Sequence, residues 1–118
     1  MKKQSIVSAF SNAFNGILYC ITHERNMKIH IGATIVVALL AWWFRLDRHE
    51  LNVLLVTIVI VYIAEMMNTV VEVLVDLVSP EFHPLAKVAK DVAAGMVLVA
   101  AIFSIIIGYM LFLSKLWN

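Results

Sequence analysis

The sequence predicts a single all-α integral membrane domain over residues 1–118, with an amphipathic surface helix followed by three transmembrane helices. Hydrophobic residues make up 63% of the 118 residues, compared with about 45–50% in soluble domains. The mean hydropathy is +0.93, and long apolar runs are separated by short polar segments. A small domain cannot bury this much apolar surface within itself, so the composition disfavours a soluble helical bundle.

Residues 5–23 carry apolar and polar side chains on opposite faces of a predicted helix. The apolar positions recur every three or four residues, at Ile6, Phe10, Phe14 and Ile17. This pattern predicts an amphipathic helix that lies in the membrane interface or packs on the other helices. Lys2 and Lys3 precede the helix and suit an anionic lipid surface. The N-terminus has no long apolar stretch and no cleavage site, so we expect no signal peptide.

The first apolar run, residues 31–44, is too short to cross a membrane by itself. A span needs about 20 residues, which a helix over about 27–46 supplies. Lys28 and His30 would then lie at the membrane edge, with their polar ends extending toward the lipid head groups.

The second long helix is predicted over about residues 50–79 and carries polar side chains on one face. These side chains are Glu65, Asn68, Glu72 and Asp76. Their spacing of three, four and four residues places them on one side of a helix. A charge at the centre of a bilayer costs roughly 2.5–3.5 kcal/mol. A helix of about 29 residues is about 44 Å long, more than a hydrocarbon core of about 30 Å. We therefore expect the acidic half to lie at the interface, near a cation or a cationic partner.

The third span is predicted over about residues 85–114. Pro84 suits the first position of a helix, and residues 92–113 form an uncharged run of 22 residues. That length is sufficient to cross a membrane. Lys90 and Asp91 lie at the start of this helix, on the same side of the membrane as the acidic half of the second helix.

Basic residues predict the orientation of the chain in the membrane. With three spans, the N-terminus and the loop at residues 79–91 share one side, which carries six basic residues against three on the other. The positive-inside rule places that side in the cytoplasm. The net charge is only +1, so nothing indicates nucleic acid as a partner.

The residues gathered on the cytoplasmic side suit magnesium-dependent phosphoryl transfer. Carboxylate and amide oxygens without a Cys or His cluster are typical Mg²⁺ ligands. Lys90 could hold phosphate oxygens, and the deeper carboxylate could take a proton from a lipid hydroxyl. The glycines are isolated, so the chain contains neither a Walker A motif nor a kinase Gly-rich loop.

The same residues are also compatible with roles that involve no catalysis. The acidic face could make polar contacts between transmembrane helices, with Lys90 neutralising the acids. It could also belong to a non-enzymatic, channel-like oligomer that binds or conducts cations, or to an accessory subunit of a larger membrane protein. Glu24 could simply pair with Lys28, four residues later on the same helix.

Two blocks, AEMMNTVVEVLVD and EFHPLAKVAKDVAAGMVLVAA, resemble the signature of the prokaryotic diacylglycerol kinase and undecaprenol kinase family. These are small bacterial integral-membrane lipid kinases. The family pattern E-x-x-N-[ST]-x-x-E-x-x-x-D is matched by Glu65, Asn68, Thr69, Glu72 and Asp76. The A-K-D step is matched at Lys90 and Asp91. Glu24, in the segment HERN, resembles the acidic residue that precedes the first span. The sequences of the segments HERN and FHPLAKVAKDVAAG are closer to those of the Gram-positive branch, whose members resemble undecaprenol kinases.

The resemblance implies an ATP-dependent kinase that forms a homotrimer, with active sites shared between neighbouring subunits. By position, Glu24 and Glu72 are the expected Mg²⁺ ligands, and Glu65 is the expected general base. The expected nucleotide-binding residues are Glu24, Asn68, Glu72, Asp76, Lys90 and Asp91. Undecaprenol is the expected acceptor, and diacylglycerol is the alternative.

The resemblance also places the protein in the bacterial cell membrane, with its active site facing the cytoplasm. Well-known diacylglycerol kinases of the family carry an arginine early in the amphipathic helix. This chain has Ser5 near that position, and Lys3 is the candidate replacement for contact with ATP.

Overall fold

The computed structural model describes residues 5–117, which form four helices connected by short segments. The helices are α1 (Ile6–His23), α2 (Arg25–Trp43), α3 (Arg48–Val78) and α4 (Pro84–Leu116). The last three are each long and apolar enough to cross a membrane. This architecture confirms an all-helical membrane protein with three candidate spans. Helix α3 packs mainly against α4, while α2 packs against α3 and α1 against α2.

Helix α1 begins after Ser5, whose hydroxyl oxygen accepts a hydrogen bond from the Ser8 backbone N–H at 3.1 Å. A serine at this position satisfies one of the free N–H groups at a helix start. Phe10 and Phe14 are 64% and 69% exposed, so one face of α1 is open to an apolar environment. Lys2 and Lys3, predicted to contact lipid and ATP, lie outside the described residues.

Helix α2 ends at Trp43, before the predicted limit near residue 46, because Arg45 adopts a left-handed conformation with φ 54°. The Leu46 N–H donates to the Ala41 carbonyl at 3.1 Å, and the Arg45 N–H donates to the Trp42 carbonyl at 3.3 Å. These two bonds form a Schellman motif, which satisfies the last carbonyls of a helix. Leu46 packs with Ala41 and with Leu54 of α3, so a hydrophobic contact accompanies the helix end.

Helix α3 begins at a capping box formed by Asp47 and Glu50. The Asp47 carboxylate accepts from the Glu50 N–H at 2.9 Å, and the Glu50 carboxylate accepts from the Asp47 N–H at 3.1 Å. Both residues thereby satisfy backbone donors at the helix start. The Glu50 carboxylate also lies 2.6 Å from the Lys115 ammonium. This ion pair joins the beginning of α3 to the end of α4.

Replacing Lys115 by methionine is expected to lower the free energy of unfolding by more than a matched change in an exposed pair, because it removes a hydrogen bond to a charged group. The two side chains are only 25% and 17% exposed, which limits their screening by water. Lys87→Met is the matched control, because Lys87 and Asp91 form a pair with side chains 64% and 62% exposed. Surface pairs of that kind contribute about 0–1 kcal/mol. Denaturation in mixed micelles, followed by circular dichroism, compares the two variants, and equal losses would contradict the prediction.

Helix α4 begins at Pro84, after the His83 ring nitrogen Nδ1 accepts from the Leu85 N–H at 3.1 Å. His83 therefore caps the helix. Ala93 is the buried residue of α4 within the described chain. Beyond the backbone of α4 itself and the two adjacent residues, no atom of the described chain lies within 4 Å of a Cβ built on Gly95. Most of the α4 surface is therefore open to lipid or to another chain.

Candidate active site

Glu24 lies at the junction between α1 and α2, where the helical conformation is interrupted for one residue. Its backbone is extended, with φ −109° and ψ 115°. The interruption turns its side chain toward α3, where Glu65, Thr69 and Glu72 are its electrostatic neighbours. The charged neighbours of Glu24 are thus the acids of α3 rather than Lys28.

Glu65 is the most deeply buried polar side chain of the described chain, with 0% of its surface exposed. One carboxylate oxygen, Oε2, lies 3.3 Å from His30 Nε2. The other, Oε1, has no hydrogen-bond partner among the described residues. A buried polar atom without a partner carries a desolvation cost of about 1–3 kcal/mol. This oxygen is therefore free to accept a proton or a hydrogen bond from a bound molecule.

Asn68 and Glu72 form a second polar pair, one helical turn closer to the C-terminus of α3. The Asn68 amide nitrogen donates to Glu72 Oε1 at 3.2 Å. Asn68 Oδ1 is buried and has no partner in the described part of the chain. Thr69 donates its hydroxyl proton to the Glu65 backbone carbonyl at 3.2 Å. Two side-chain oxygens, one from Glu65 and one from Asn68, are thus available to a ligand in this region.

Asp76 and Lys90 connect the end of α3 to the start of α4. The Lys90 ammonium lies 2.6 Å from Asp76 Oδ1, and both side chains are substantially exposed. The ammonium stands beyond Glu72 on the side toward the helix ends, in reach of water and of a soluble nucleotide. Asp91 is placed differently, because its carboxylate lies 2.6 Å from the Lys87 ammonium.

Glu24, Glu65 and Glu72 are candidate residues for a cation site. Burial, followed by the negative charges of Glu72 and Glu65, raises the pKa of Glu24 above its ordinary value of 4.5, and the Thr69 hydroxyl opposes that rise. A cation between the carboxylates would remove the repulsion. Within residues 5–117, no group of three His, Cys, Asp or Glu side chains is arranged to hold a metal alone. The donors fit Mg²⁺, which is commonly bound by one or two carboxylates together with substrate phosphates and water.

His30 is the site residue that the sequence analysis missed. The sequence analysis directed its side chain toward the lipid head groups, whereas the ring lies against Glu65 and is only 19% exposed. The available signal was the charge of Glu65, since a carboxylate in an apolar helix requires a polar partner. Sequence could not choose between the polar residues of α2 as that partner, because 35 residues separate His30 from Glu65.

The comparison with known proteins identifies the family of this chain. The family model described as prokaryotic diacylglycerol kinase matches residues 11–112. An undecaprenol kinase of Bacillus subtilis is 39% identical over 108 residues, which cover 92% of this chain and 88% of that protein.

Two further relatives are named diacylglycerol kinase. The protein of Synechocystis sp. is 39% identical over 113 residues, which cover 95% of this chain but only 65% of its own length. The protein of Escherichia coli strain K12 is 27% identical over 101 residues, which cover 86% of this chain and 83% of that protein. These matches confirm the resemblance that the two sequence blocks indicated: the chain belongs to the prokaryotic diacylglycerol kinase family.

Proposed function

We propose that the protein is a lipid kinase that transfers the γ-phosphoryl group of ATP to the hydroxyl of a membrane lipid alcohol. The observation that carries this proposal is the buried Glu65 carboxylate with its free Oε1, next to Glu24 and Glu72. Family membership supports the same class of reaction. The names of the relatives do not favour the alternative of a non-enzymatic cation-binding or channel-like oligomer.

Glu65 is the general base of the proposed reaction. As the lipid hydroxyl oxygen forms a bond to the γ-phosphorus, the hydroxyl proton passes to Glu65 Oε1. The bond between the γ-phosphorus and the β–γ bridging oxygen breaks, and ADP leaves. The complete burial of Glu65 limits access of water, which would otherwise compete with the lipid as acceptor.

Glu24 and Glu72 are the residues that would hold Mg²⁺ brought with the nucleotide. The ion supplies neutralising charge for the phosphate oxygens when bound. Glu24 approaches from the α1–α2 junction and Glu72 from α3, and Asn68 orients Glu72 through its amide at 3.2 Å. Burial and then the negative charges of Glu72 and Glu65 raise the pKa of Glu24, and a cation between the carboxylates would relieve the repulsive part.

Lys90 is the proposed phosphate-binding residue, and Asp76 fixes its position through the contact at 2.6 Å. An ammonium is a compact charge that suits phosphate oxygens. Asp91 is proposed to act more indirectly, by holding Lys87 at the same end of α4. The exposure of these four side chains gives a soluble nucleotide access from the aqueous side.

We propose a homotrimer in the bacterial cell membrane, with the N-terminus and the active site in the cytoplasm. The exposed apolar face of α1 suits an interfacial position. A side chain added at Gly95 would meet open space within the described chain, and small residues in spans commonly allow close approach of another helix. The excess of basic residues on the side of the 79–91 loop supports the orientation.

Undecaprenol is the proposed acceptor, and diacylglycerol is the alternative, because relatives with 39% identity carry both names. In detergent micelles with Mg-ATP, we expect kcat/KM for undecaprenol to exceed that for diacylglycerol by about tenfold or more, a difference that pocket contacts can supply. Chromatography of the radiolabelled lipid phosphate measures both rates, and reactions without ATP are the control.

A higher kcat/KM for diacylglycerol would make diacylglycerol the substrate and would contradict the preference for undecaprenol. Absence of lipid phosphate from undecaprenol, diacylglycerol and ceramide alike would overturn the kinase proposal itself.

A further inference from the structure

The hydrogen bond between His30 and Glu65 has a defined donor and acceptor. The proposed base is an ionised carboxylate, which can only accept a hydrogen bond. In that state the His30 Nε2 atom, 3.3 Å from Glu65 Oε2, is the donor. The carboxylate is fully buried and the histidine is 19% exposed. Water therefore offers little competition, and the ring N–H is the polar partner of this oxygen.

Contacts one turn further along α2 hold the His30 ring in place. The Thr34 hydroxyl lies 2.7 Å from the His30 carbonyl and 2.7 Å from the Tyr62 hydroxyl. The Tyr62 ring meets the His30 ring edge to face, with centroids 6.5 Å apart. Tyr62 lies three residues before Glu65, on the same face of α3. The backbone and the ring of His30 are thus both fixed relative to the helix that carries the carboxylate.

This arrangement makes the two oxygens of Glu65 unequal. Oε2 is occupied by the His30 ring, whereas Oε1 has no partner in the described chain. Rotation of the carboxylate would break the only side-chain hydrogen bond that it makes within residues 5–117. Because His30 occupies Oε2, Oε1 is the oxygen that remains to accept the proton.

We propose that His30 is a positioning residue that donates its Nε2 hydrogen to Glu65 Oε2 and so aims Oε1 at the hydroxyl of the acceptor lipid. The proposal rests on the proposed kinase function, because it assigns Glu65 as the base. His30 itself exchanges no proton in the step, since the hydroxyl proton passes to Oε1 and the ring N–H stays in place.

Three substitutions at position 30 separate positioning from packing. His30→Leu removes the donor, and we expect kcat to fall about 10- to 100-fold, the effect of a small misplacement of a reacting group. His30→Gln should retain kcat within a few fold, since its amide nitrogen is as many bonds from Cβ as Nε2 is. His30→Asn, whose amide nitrogen corresponds to Nδ1, should resemble His30→Leu. The KM for ATP should be unchanged in all three.

The matched control is His49→Leu, the same change at an exposed histidine near the opposite end of α3. It should leave kcat unchanged. If His30→Gln and His30→Asn lose the same activity as His30→Leu, or if all three retain wild-type kcat, the positioning role is contradicted. Circular dichroism and gel filtration show whether each variant is folded and assembled.

A double-mutant cycle tests whether His30 acts through Glu65. In the Glu65→Gln background, His30→Leu should lower the residual rate less than about twofold, because residues that act as a unit are not additive. A further loss as large as that in the wild-type background would overturn the proposal, since His30 would then act by another route.

Nitrogen-15 NMR of the protein in micelles gives a readout that does not depend on activity. With histidine labelled, His30→Gln identifies the His30 signals among the four histidines. We expect a proton on Nε2 in the wild type and a clear change of that signal in Glu65→Leu, which removes the acceptor, but not in Glu81→Leu. An unchanged His30 signal would exclude the pair. If the pair is present and the protein phosphorylates no lipid alcohol, the kinase function fails, and the positioning role fails with it.

Discussion

Glu65→Gln is expected to lower kcat by about 10²- to 10⁴-fold, the range in which general-base catalysis contributes. Glutamine has nearly the same size and retains an acceptor for the His30 N–H, but its amide cannot take a proton from the lipid hydroxyl. The KM for ATP should change little, because the base lies deeper than Lys90 and Asp76. Initial rates of lipid phosphate formation in micelles, at saturating Mg-ATP, measure the effect.

The matched control is Glu81→Gln, which makes the same change in an exposed acid of the α3–α4 loop. It should retain the wild-type rate. If Glu65→Gln also keeps its kcat within about fivefold, general-base catalysis by this residue contributes too little to matter, and another group must accept the proton.

Mixed oligomers extend this test to the proposed trimer. Subunits carrying Glu24→Gln and subunits carrying Glu65→Gln are expected to be inactive separately. Mixing them should restore part of the activity, if a site takes Glu24 from one chain and Glu65 from its neighbour. Failure to recover activity, with exchange of subunits verified by cross-linking, would favour a site built within one chain, in which Glu24 and Glu65 are already electrostatic neighbours.

Glu72→Gln should have the second large effect, and it should appear in the dependence on Mg²⁺. We expect the Mg²⁺ concentration for half-maximal activity to rise at least about 10- to 100-fold, the range seen when a residue supporting a metal ligand is lost. Glutamine can still accept from the Asn68 amide, so the α3 geometry should survive. Titration of Mg²⁺ at fixed ATP, with assembly checked by gel filtration, measures the shift.

The control for this experiment is again Glu81→Gln, which should show the wild-type Mg²⁺ dependence. A Glu72→Gln protein that saturates at ordinary Mg²⁺ with normal kcat would remove Glu72 from the metal site. Chelation with EDTA should abolish the activity of the wild type, and added Mg²⁺ should restore it.

The structural features that depend only on residues close together in the sequence could be predicted from it. Apolar runs located three spans, because bilayer crossing depends on length and composition. The spacing of Glu65, Asn68 and Glu72 placed them on one helical face, because 3.6 residues per turn is a local property. Which residues of other helices meet that face could not be predicted, since that depends on packing between segments distant in sequence.

His30 and Asp91 illustrate the limit. In the sequence, His30 resembles an ordinary polar residue at the edge of a membrane span. Only the packing of α2 on α3 turns its ring toward Glu65. Asp91 neighbours Lys90 in sequence, but successive side chains on a helix point about 100° apart. Asp91 therefore meets Lys87, four residues earlier on its own helix, and Lys90 meets Asp76 across the helix pair.

Helix α3 is continuous from its capping box at Asp47 to Val78. It therefore fixes the distance between its N-terminal end and Glu65. Seventeen residues separate Arg48 from Glu65, about 26 Å at 1.5 Å per residue, so the depth of the base is fixed by where the N-terminal end of the helix is anchored. Longer or shorter acyl chains in the surrounding lipid would raise or lower the head groups relative to Glu65, or tilt the helix to compensate. Catalysis would then respond to membrane composition, because the head groups set the depth of the acceptor hydroxyl, whereas α3 sets the depth of Glu65.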